Sequence, residues 1–162
     1  MKLSLTNKVV KQIVEGCNNH KLKYAVGGIL NNILIITYDS AAIYRAEVNS
    51  DFTDYLSRVK QPAADYTAMV HFFESMEKYN CMETNYEQCF EVTHNGDKLL
   101  CVIYNSKKYY FDPRYLNQFK STKKYNFEFF VYGQYHGINV YEYIPGDDMF
   151  EHIAVIMGVL AR

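Results

Sequence analysis

Basic side chains grouped in two short segments are the residues of this sequence best suited to chemistry. In chain order they are Lys8 and Lys11, then Arg114, Lys120, Lys123 and Lys124. Ammonium and guanidinium groups can contact nucleic-acid phosphates without reading the base sequence. Because the net charge of the chain is only −1, this positive charge is local. We therefore expect one basic face that attracts a polyanion. The alternative is that the cations simply face water on amphipathic helices.

No catalytic constellation accompanies these cations. The five histidines are isolated in the sequence, and there is no glycine-rich phosphate loop. The cysteines, which include no C-x-x-C pair, are Cys17, Cys81, Cys89 and Cys101. We interpret Cys17 and Cys101 as small buried hydrophobic residues, and the turn at Asp147 and Asp148 as solvated. We expect a protein that is not an enzyme and that uses no metal or cofactor.

In the first half of the sequence, the cations belong to a predicted helix that is followed by three strands. Thr6 or Asn7 can cap this helix, whose apolar positions recur at helical spacing. The strand-like runs cover residues 24–30, 33–38 and 42–48, with a two-residue turn at Asn31 and Asn32. The first repeat is therefore a basic helix and a three-stranded meander.

The second half follows the same order. Asp112 and Pro113 predict the start of a helix, whose apolar stripe is formed by Tyr115, Leu116 and Phe119. Strands are predicted over residues 127–134, 138–143 and 153–159, with a turn at residues 136–137. Because one such unit cannot bury its own apolar face, we expect the two copies to pack together with their basic helices side by side.

The segment between the repeats follows a different pattern. Residues 52–59 and 64–79 are predicted to be helical, and residues 89–106 are predicted to form a hairpin that turns at residues 94–96. A chain of 162 residues that is 49% hydrophobic can bury one real core. We predict a single α+β domain over residues 1–162, with a first repeat at 1–50, a helical and hairpin insertion at 51–107, and a second repeat at 108–162.

The sequence contains no predicted membrane segment. No apolar run approaches the roughly 20 residues that span a bilayer, and the first residues do not resemble a signal peptide. We expect a soluble, cytoplasmic protein with no membrane partner. Its frequent Asn, Lys and Tyr residues suggest a virus or mobile element as the source, with the host cytoplasm as the compartment.

Two parts of the sequence resemble the bacterial beta-type DNA polymerase sliding clamp, a processivity factor. Residues 33–40, ILIITYDS, and residues 42–48, AIYRAEV, are similar to the family's apolar strand, Thr-Asp turn and following strand. Residues 111–116, FDPRYL, and residues 153–160, IAVIMGVL, resemble the last half of a clamp's C-terminal domain. The resemblance implies a sliding-clamp-like domain built from two helix-plus-three-strand repeats.

The resemblance also implies functional residues. In the family, the helices line a ring around duplex DNA, and the C-terminal strand helps to form a hydrophobic pocket for partner peptides. The DNA-facing residues carried over by position are Lys8, Lys11, Arg114 and Lys120. The pocket residues carried over are Ser40, Ala42, Ile43, Val155, Met157, Gly158 and Val159. The implied partners are duplex DNA, bound nonspecifically, and a DNA polymerase or other replication proteins.

This chain departs from the family in four respects. A family ring contains six such domains, whereas this chain has one, so we expect a homo-oligomer. Gly158 stands where the bacterial family often has Pro, Tyr38 interrupts the Thr-Asp pair, and the insertion has no counterpart. The alternative function is therefore a clamp-derived protein-binding module of a virus or mobile element that does not encircle DNA. An enzyme is the third alternative.

Overall fold

The computed structural model describes residues 24–29, 32–37, 41–47 and 66–160. These residues form mostly antiparallel strands with few helices, which confirms the α+β class. The chain divides into two compact units, residues 1–75 and 76–162. The prediction of a single domain with an insertion stays a prediction.

The first unit contains an antiparallel meander and one helix. Its strands are β1 (Tyr24–Ile29), β2 (Asn32–Thr37) and β3 (Ala42–Glu47), and its helix is α1 (Tyr66–Ser75). Ile29 pairs with Asn32, so Asn32 belongs to β2 and its predicted place in a turn is wrong. The predicted turn would have placed Leu30 opposite Ile33, whereas Ile33 pairs with Gly28, so the register differs from the predicted one.

The second unit contains a four-stranded antiparallel sheet. A short 3-10 turn (Met76–Tyr79) leads into β4 (Asn80–Thr84), which pairs with β8 (Tyr125–Tyr132). Beyond β8 lie β9 (Tyr135–Ile144) and then β10 (Met149–Met157). Strand β4 was not predicted, because its polar sequence, NCMET, carries little hydrophobic signal.

A three-stranded antiparallel sheet and a short helix complete the second unit. The sheet consists of β5 (Phe90–His94), β6 (Asp97–Tyr104) and β7 (Lys107–Phe111), with a 3-10 turn (Tyr86–Gln88) before it. The predicted hairpin is confirmed, with its turn at Asn95 and Gly96, both at positive φ. Helix α2 (Pro113–Leu116) follows β7 and continues as a 3-10 turn (Asn117–Phe119).

The turn between β8 and β9 differs from its predicted place. His136 and Gly137 were predicted to form it, but both lie buried in β9, and Gly133 takes the positive φ of 58°. Gly137 is required in the strand because a Cβ there would overlap the Phe130 ring and lie 2.8 Å from the Ile156 carbonyl oxygen. This glycine therefore serves close packing rather than chain reversal.

Phenylalanine rings from several elements form the centre of the second unit. The Phe111 ring of β7 lies edge-on to that of Phe129, with centroids 6.4 Å apart, and Phe119 meets Tyr125 in the same way at 5.1 Å. Phe111, Phe119, Phe127 and Phe129 are fully buried. The predicted apolar stripe of α2 is confirmed, because its two members Tyr115 and Leu116 are buried along with Phe119. Cys101 is also fully buried, as predicted, whereas Cys17 lies outside the described residues.

The second predicted repeat has the expected order of strand, helix and three strands, in β7, α2 and β8 to β10. In the first repeat only the three strands are described, because the predicted basic helix lies outside the described residues. A duplication is therefore not shown, and it stays a prediction. Strands β4 and β6 come from the segment that was predicted to be an insertion. Both pair with strands of the predicted second repeat, β4 with β8 and β6 with β7.

Candidate functional site

Helix α2 begins as its sequence predicts. The Asp112 carboxylate accepts a hydrogen bond from the Arg114 backbone N–H at 2.9 Å, and Pro113 occupies the first helical position. This cap satisfies one of the amide groups that a helix start leaves without a partner. Of the predicted DNA-contacting residues in the second half, Arg114 therefore lies in α2, and Lys120, Lys123 and Lys124 follow in the segment between α2 and β8.

The Arg114 guanidinium is held by the same carboxylate. Its Nε lies 3.0 and 2.9 Å from the two Asp112 oxygens, and a terminal nitrogen contacts the second oxygen as well. The guanidinium carbon also lies 5.7 Å from the centroid of the Tyr115 ring. A fork of this kind fixes the side chain and compensates its charge within the chain. Arg114 is exposed, but its charge is already matched by Asp112.

Lys120 is positioned by an aromatic contact. Its ammonium lies 5.6 Å from the centroid of the Tyr86 ring, and the Tyr86 hydroxyl donates to Asn117 Oδ1 at 3.0 Å. Burial, followed by the nearby Glu91 carboxylate, raises the pKa of Tyr86, so its hydroxyl stays a proton donor at neutral pH. Lys120 and Lys123 are both exposed, and they present their charge to the solvent.

Lys124 forms an ion pair with a buried glutamate. Its ammonium lies 3.5 Å from Glu142 Oε1 and 5.4 Å from the Tyr125 ring centroid. Partial burial opposes the charged form, but Tyr125 and Glu142 outweigh it and raise the pKa of Lys124. The positive charge of Lys124 is therefore compensated by a buried carboxylate of the second unit. Lys8 and Lys11 lie outside the described residues.

The C-terminal segment after β10 is held by backbone hydrogen bonds. The Gly158 N–H donates to the His136 carbonyl oxygen at 2.8 Å, and the Val159 N–H donates to the Tyr110 carbonyl oxygen at 2.8 Å. Val159 therefore forms an antiparallel bridge with Tyr110 at the outer edge of β7. His136 Nε2 lies 3.0 Å from the same Tyr110 oxygen, and must carry a proton to donate to it.

This segment lines an open groove with a volume of about 400 Å³. The residues that line the groove are Lys108, Tyr109, Tyr110, Gln134, His136, Val159 and Leu160. The two aliphatic side chains are exposed, Val159 by 38% and Leu160 by 47%. The groove thus combines an apolar wall with a lysine ammonium, an amide and aromatic side chains, which is the composition of a site for a small or extended ligand.

Aromatic rings pack against one another beside the groove. The His136 ring lies edge-on to Tyr109 at 5.0 Å and to Phe111 at 5.2 Å, and His94 stacks on Tyr110 at 4.7 Å. Burial lowers the pKa of His136, although the Tyr110 carbonyl oxygen partly opposes this effect. At neutral pH the imidazole is therefore neutral, with Nε2 protonated and bonded to that oxygen.

The predicted pocket residues are distributed unevenly around this groove. Val159 lines it, Gly158 lies beneath it against His136, and Met157 is half-buried at the end of β10. Val155 is fully buried in β10 and is not part of the lining. Ala42 and Ile43 are buried in the first unit, and Ser40 lies outside the described residues. Their role in a partner pocket stays a prediction.

The sequence reasoning missed most of the groove. Tyr109, Tyr110 and His136 belong to it because β7 lies beside the segment after β10, a long-range pairing with no local signal. One sequence feature could have indicated this strand. It is the pair of lysines followed by a pair of tyrosines at residues 107–110.

Within the described ranges, no three His, Cys, Asp or Glu side chains are grouped so that they could hold a metal ion. In the same ranges, no helix is both long and apolar enough to cross a membrane. No family model, no curated protein and no solved structure matches this chain.

Proposed function

We propose that this protein is a non-enzymatic, sliding-clamp-like scaffold that tethers replication proteins to duplex DNA. The observation that carries the proposal is the open groove beside the C-terminal segment. The sequence resemblance implies a partner-peptide pocket at the C-terminal strand, and the exposed Val159 and Leu160 side chains border this groove. An extended peptide with an apolar side chain could bury both.

The basic segment after α2 supports contact with DNA. Lys120 and Lys123 are exposed and have no carboxylate bonded to them in the described structure. Phosphate contacts from such lysines position a protein on a duplex without specifying sequence, which suits a protein that slides. The sequence resemblance adds Lys8 and Lys11 to the proposed DNA-contacting residues.

The proposal requires several copies of the chain to close around the duplex. One clamp-like domain cannot encircle DNA, so the assembly is a homo-oligomer joined through strand edges. Size-exclusion chromatography with light scattering measures this directly. A strict monomer at high protein concentration argues against ring closure.

Retention on circular DNA is the decisive test of the topological mechanism. The protein, loaded at low salt on a nicked circular plasmid, is expected to stay bound when the salt is raised. Cutting the same plasmid once should release it, because a ring slides off a free end. Equal release from circular and linear DNA contradicts encirclement.

The groove is tested separately by a charge placed in its wall. Leu160→Glu is expected to abolish stimulation of the cognate DNA polymerase in a primer-extension assay while leaving retention on circular DNA intact. Ile103→Glu is the matched control, because Ile103 is 50% exposed and is not part of the groove. Equal loss in both variants contradicts a specific role for the groove.

A second candidate is a protein-binding module that does not encircle DNA. Two of the predicted DNA contacts are already paired inside the chain, Arg114 with Asp112 and Lys124 with Glu142. This pairing weakens the basic surface, whereas the groove is unaffected by it. Partner capture that persists after nuclease treatment and depends on Leu160, without any retention on circular DNA, favours this candidate.

A further inference from the structure

Strand β5 leaves one edge of the three-stranded sheet without a partner. It pairs with β6 over its whole length, from Phe90 opposite Cys101 to His94 opposite Asp97, and with no other strand among the described residues. Backbone groups along such an edge are available to pair with another chain. Many proteins protect an edge with a proline, a bulge or a lysine, but the β5 sequence, FEVTH, has an unbroken register and none of these.

The turn of the β5–β6 hairpin determines which backbone groups of β5 face outward. His94 and Asp97 flank the two-residue turn and are paired, so His94 bonds towards β6. Inward and outward residues alternate along an antiparallel strand. Val92 therefore also bonds towards β6, whereas the N–H and C=O groups of Glu91 and Thr93 face away from it.

The neighbouring β6–β7 hairpin supports this assignment. Tyr104 and Lys107 flank its two-residue turn in the same way, so the alternation predicts that Tyr110 faces outward. The Val159 N–H does donate to the Tyr110 carbonyl oxygen from that side, at 2.8 Å. On β5, by contrast, no backbone hydrogen bond from the described part of the chain reaches the outer edge.

A second copy of β5 fits this edge best in one register. A two-fold axis makes two copies of a strand antiparallel, and outward-facing residues then pair with outward-facing residues. An axis at Glu91 or at Thr93 uses only part of each strand, and the first sets two Glu91 carboxylates directly opposite each other, which is destabilising. An axis at Val92 pairs the whole of both strands and sets Glu91 opposite Thr93 of the second copy.

This register also matches opposite charges between the copies. Thr93 lies opposite Lys98 within one chain, so the row across the interface is Lys98, Thr93 and then Glu91 of the second copy. The three side chains project from one face, and the outer two are about 9.6 Å apart at the backbone, which a lysine and a glutamate can span over the short threonine. Lys98 and Glu91 are exposed and form no ion pair within the described ranges.

The other face of the strand pair is apolar at its centre. Val92 lies opposite Val92 of the second copy, and Phe90, which is 39% exposed, lies opposite His94 of the second copy. Aromatic and β-branched cross-strand pairs stabilise antiparallel strands. The pairing therefore covers an exposed aromatic ring on one face and forms two ion pairs on the other.

We propose that two copies of this protein pair β5 to β5 about a two-fold axis at Val92, which joins their three-stranded sheets into one continuous sheet. A pair of five-residue strands is a small interface, so the dimer is weak and forms at high protein concentration. Strand β4, which also lies at a sheet edge, is a poorer partner because its register shifts between Asn80 and Met82.

This inference goes beyond the proposed function and does not rest on it. The β5 pairing needs neither DNA nor the groove. A two-fold pair joins only two chains, so closing a ring around a duplex needs a second interface. The two proposals can therefore fail separately.

The first experiment tests the register by disulfide formation. Opposing Cα atoms at the axis are about 4.5 Å apart, which is within the range that a disulfide spans. In a Cys81→Ser protein, which lacks the exposed cysteine, Val92→Cys is expected to give a covalent dimer when diamide oxidises the two thiols. Ile103→Cys is the matched control, because Ile103 is 50% exposed on the same face but lies on β6. Equal dimer yields from the two variants, or no dimer from either, overturn the proposal.

The second experiment exchanges charges between the copies and measures self-association by sedimentation velocity. Glu91→Lys and Lys98→Glu each place like charges together, so each alone is expected to weaken the dimer at least about threefold. An equimolar mixture of the two variants should restore it, because opposite charges then meet at both sites. Glu83→Lys, at an exposed glutamate of β4, is the control and should not change the association. A mixture that associates no better than the single variants overturns the proposal.

The third experiment removes a backbone donor and separates this inference from the proposed function. Thr93→Pro eliminates an outward N–H that β6 does not use, and proline is tolerated at such an edge position, so the dimer should weaken at least about tenfold. Thr93→Ser keeps the N–H and should dimerise as the parent does. A dimer that depends on Thr93 in a protein that circular DNA does not retain supports this inference and contradicts the proposed function. Retention on circular DNA with equal association of the parent and Thr93→Pro overturns this inference alone.

Discussion

Gly158 lies directly against the imidazole of His136. Its N–H donates to the His136 carbonyl oxygen at 2.8 Å, and a Cβ at this position would overlap the ring. These two contacts exclude proline at this position. Proline has no N–H to donate, and its ring has no space here. Gly158 therefore allows the C-terminal segment to pass close to His136 and to reach the groove.

Gly158→Ala is expected to lower the free energy of unfolding by about 1–3 kcal/mol, because the added methyl group displaces His136 from its packed position. Urea denaturation followed by circular dichroism measures the change. Gly146→Ala is the matched control, since an added Cβ there meets no atom within 4 Å, and its stability should change by less than about 0.5 kcal/mol. If both variants are as stable as the parent, the close contact at Gly158 is contradicted.

The protonation of His136 should make the stability of the protein depend on pH. Its pKa in the folded state is lowered, mainly by burial, whereas the unfolded chain has the ordinary value of about 6.5. Below that value the unfolded chain binds more protons than the folded chain does, so the free energy of unfolding falls as the pH is lowered from about 6.5 towards the folded-state pKa. Denaturation curves between pH 7.5 and pH 5 measure this slope.

His136→Gln is expected to flatten the slope over this range, whatever its effect on absolute stability. The control is His71→Gln, which removes an exposed imidazole from α1. Equal changes in slope for the two variants would argue against His136 as the origin.

A buried polar network joins the 3-10 turn at residues 76–79 to the four-stranded sheet. Asn139 is fully buried, and its amide nitrogen donates to the Met76 carbonyl oxygen at 3.1 Å and to Asn80 Oδ1 at 2.6 Å. Its amide oxygen accepts a hydrogen bond from His152 Nε2 at 2.9 Å. The orientation of the amide is thus determined by its three partners, and it fixes the ring nitrogen of His152 that carries a proton.

Asn139→Leu is expected to lower the free energy of unfolding by about 3 kcal/mol, because it leaves Met76, Asn80 and His152 groups buried without their partner. Asn126→Leu is the control, since Asn126 lies half-buried on the neighbouring strand β8. The two variants are compared by urea denaturation. A loss at Asn139 no larger than that at Asn126 contradicts the structural role of the network.

Local signals in the sequence predicted the elements of the second unit well. The Asp112 cap, Pro113 and the apolar stripe of α2 depend only on neighbours in the chain, as does the Asn95-Gly96 turn of the β5–β6 hairpin. The β8–β9 turn was misplaced because His136-Gly137 and Gly133-Gln134 are equally plausible turn pairs locally. Only the Phe130 ring, brought close by the fold, decides that Gly137 belongs to the strand.

The candidate site was less predictable, because its charges and its groove depend on contacts between distant residues. The helix pattern correctly placed Arg114 on an exposed surface, but it could not indicate that Glu142 would pair with Lys124. The groove likewise depends on the bridge between Tyr110 and Val159, which are far apart in the chain. The number of cations in a segment therefore overstates the charge available to a ligand.

The predicted DNA contacts can be ranked by whether a carboxylate of the chain already pairs with each cation. Lys120→Gln and Lys123→Gln should each reduce the slope of log affinity against log salt for a short duplex by roughly 0.9, because each removes about one phosphate contact. Arg114→Gln should reduce it by clearly less, since the Asp112 carboxylate already compensates the guanidinium. Lys98→Gln, at an exposed lysine in the β5–β6 hairpin, is the control and should leave the slope unchanged.

Fluorescence anisotropy between 50 and 200 mM salt gives the slopes. A reduction at Arg114 as large as at the two lysines would show that the Asp112 pair opens on DNA, and unchanged slopes in all variants would remove this segment from the DNA-binding surface.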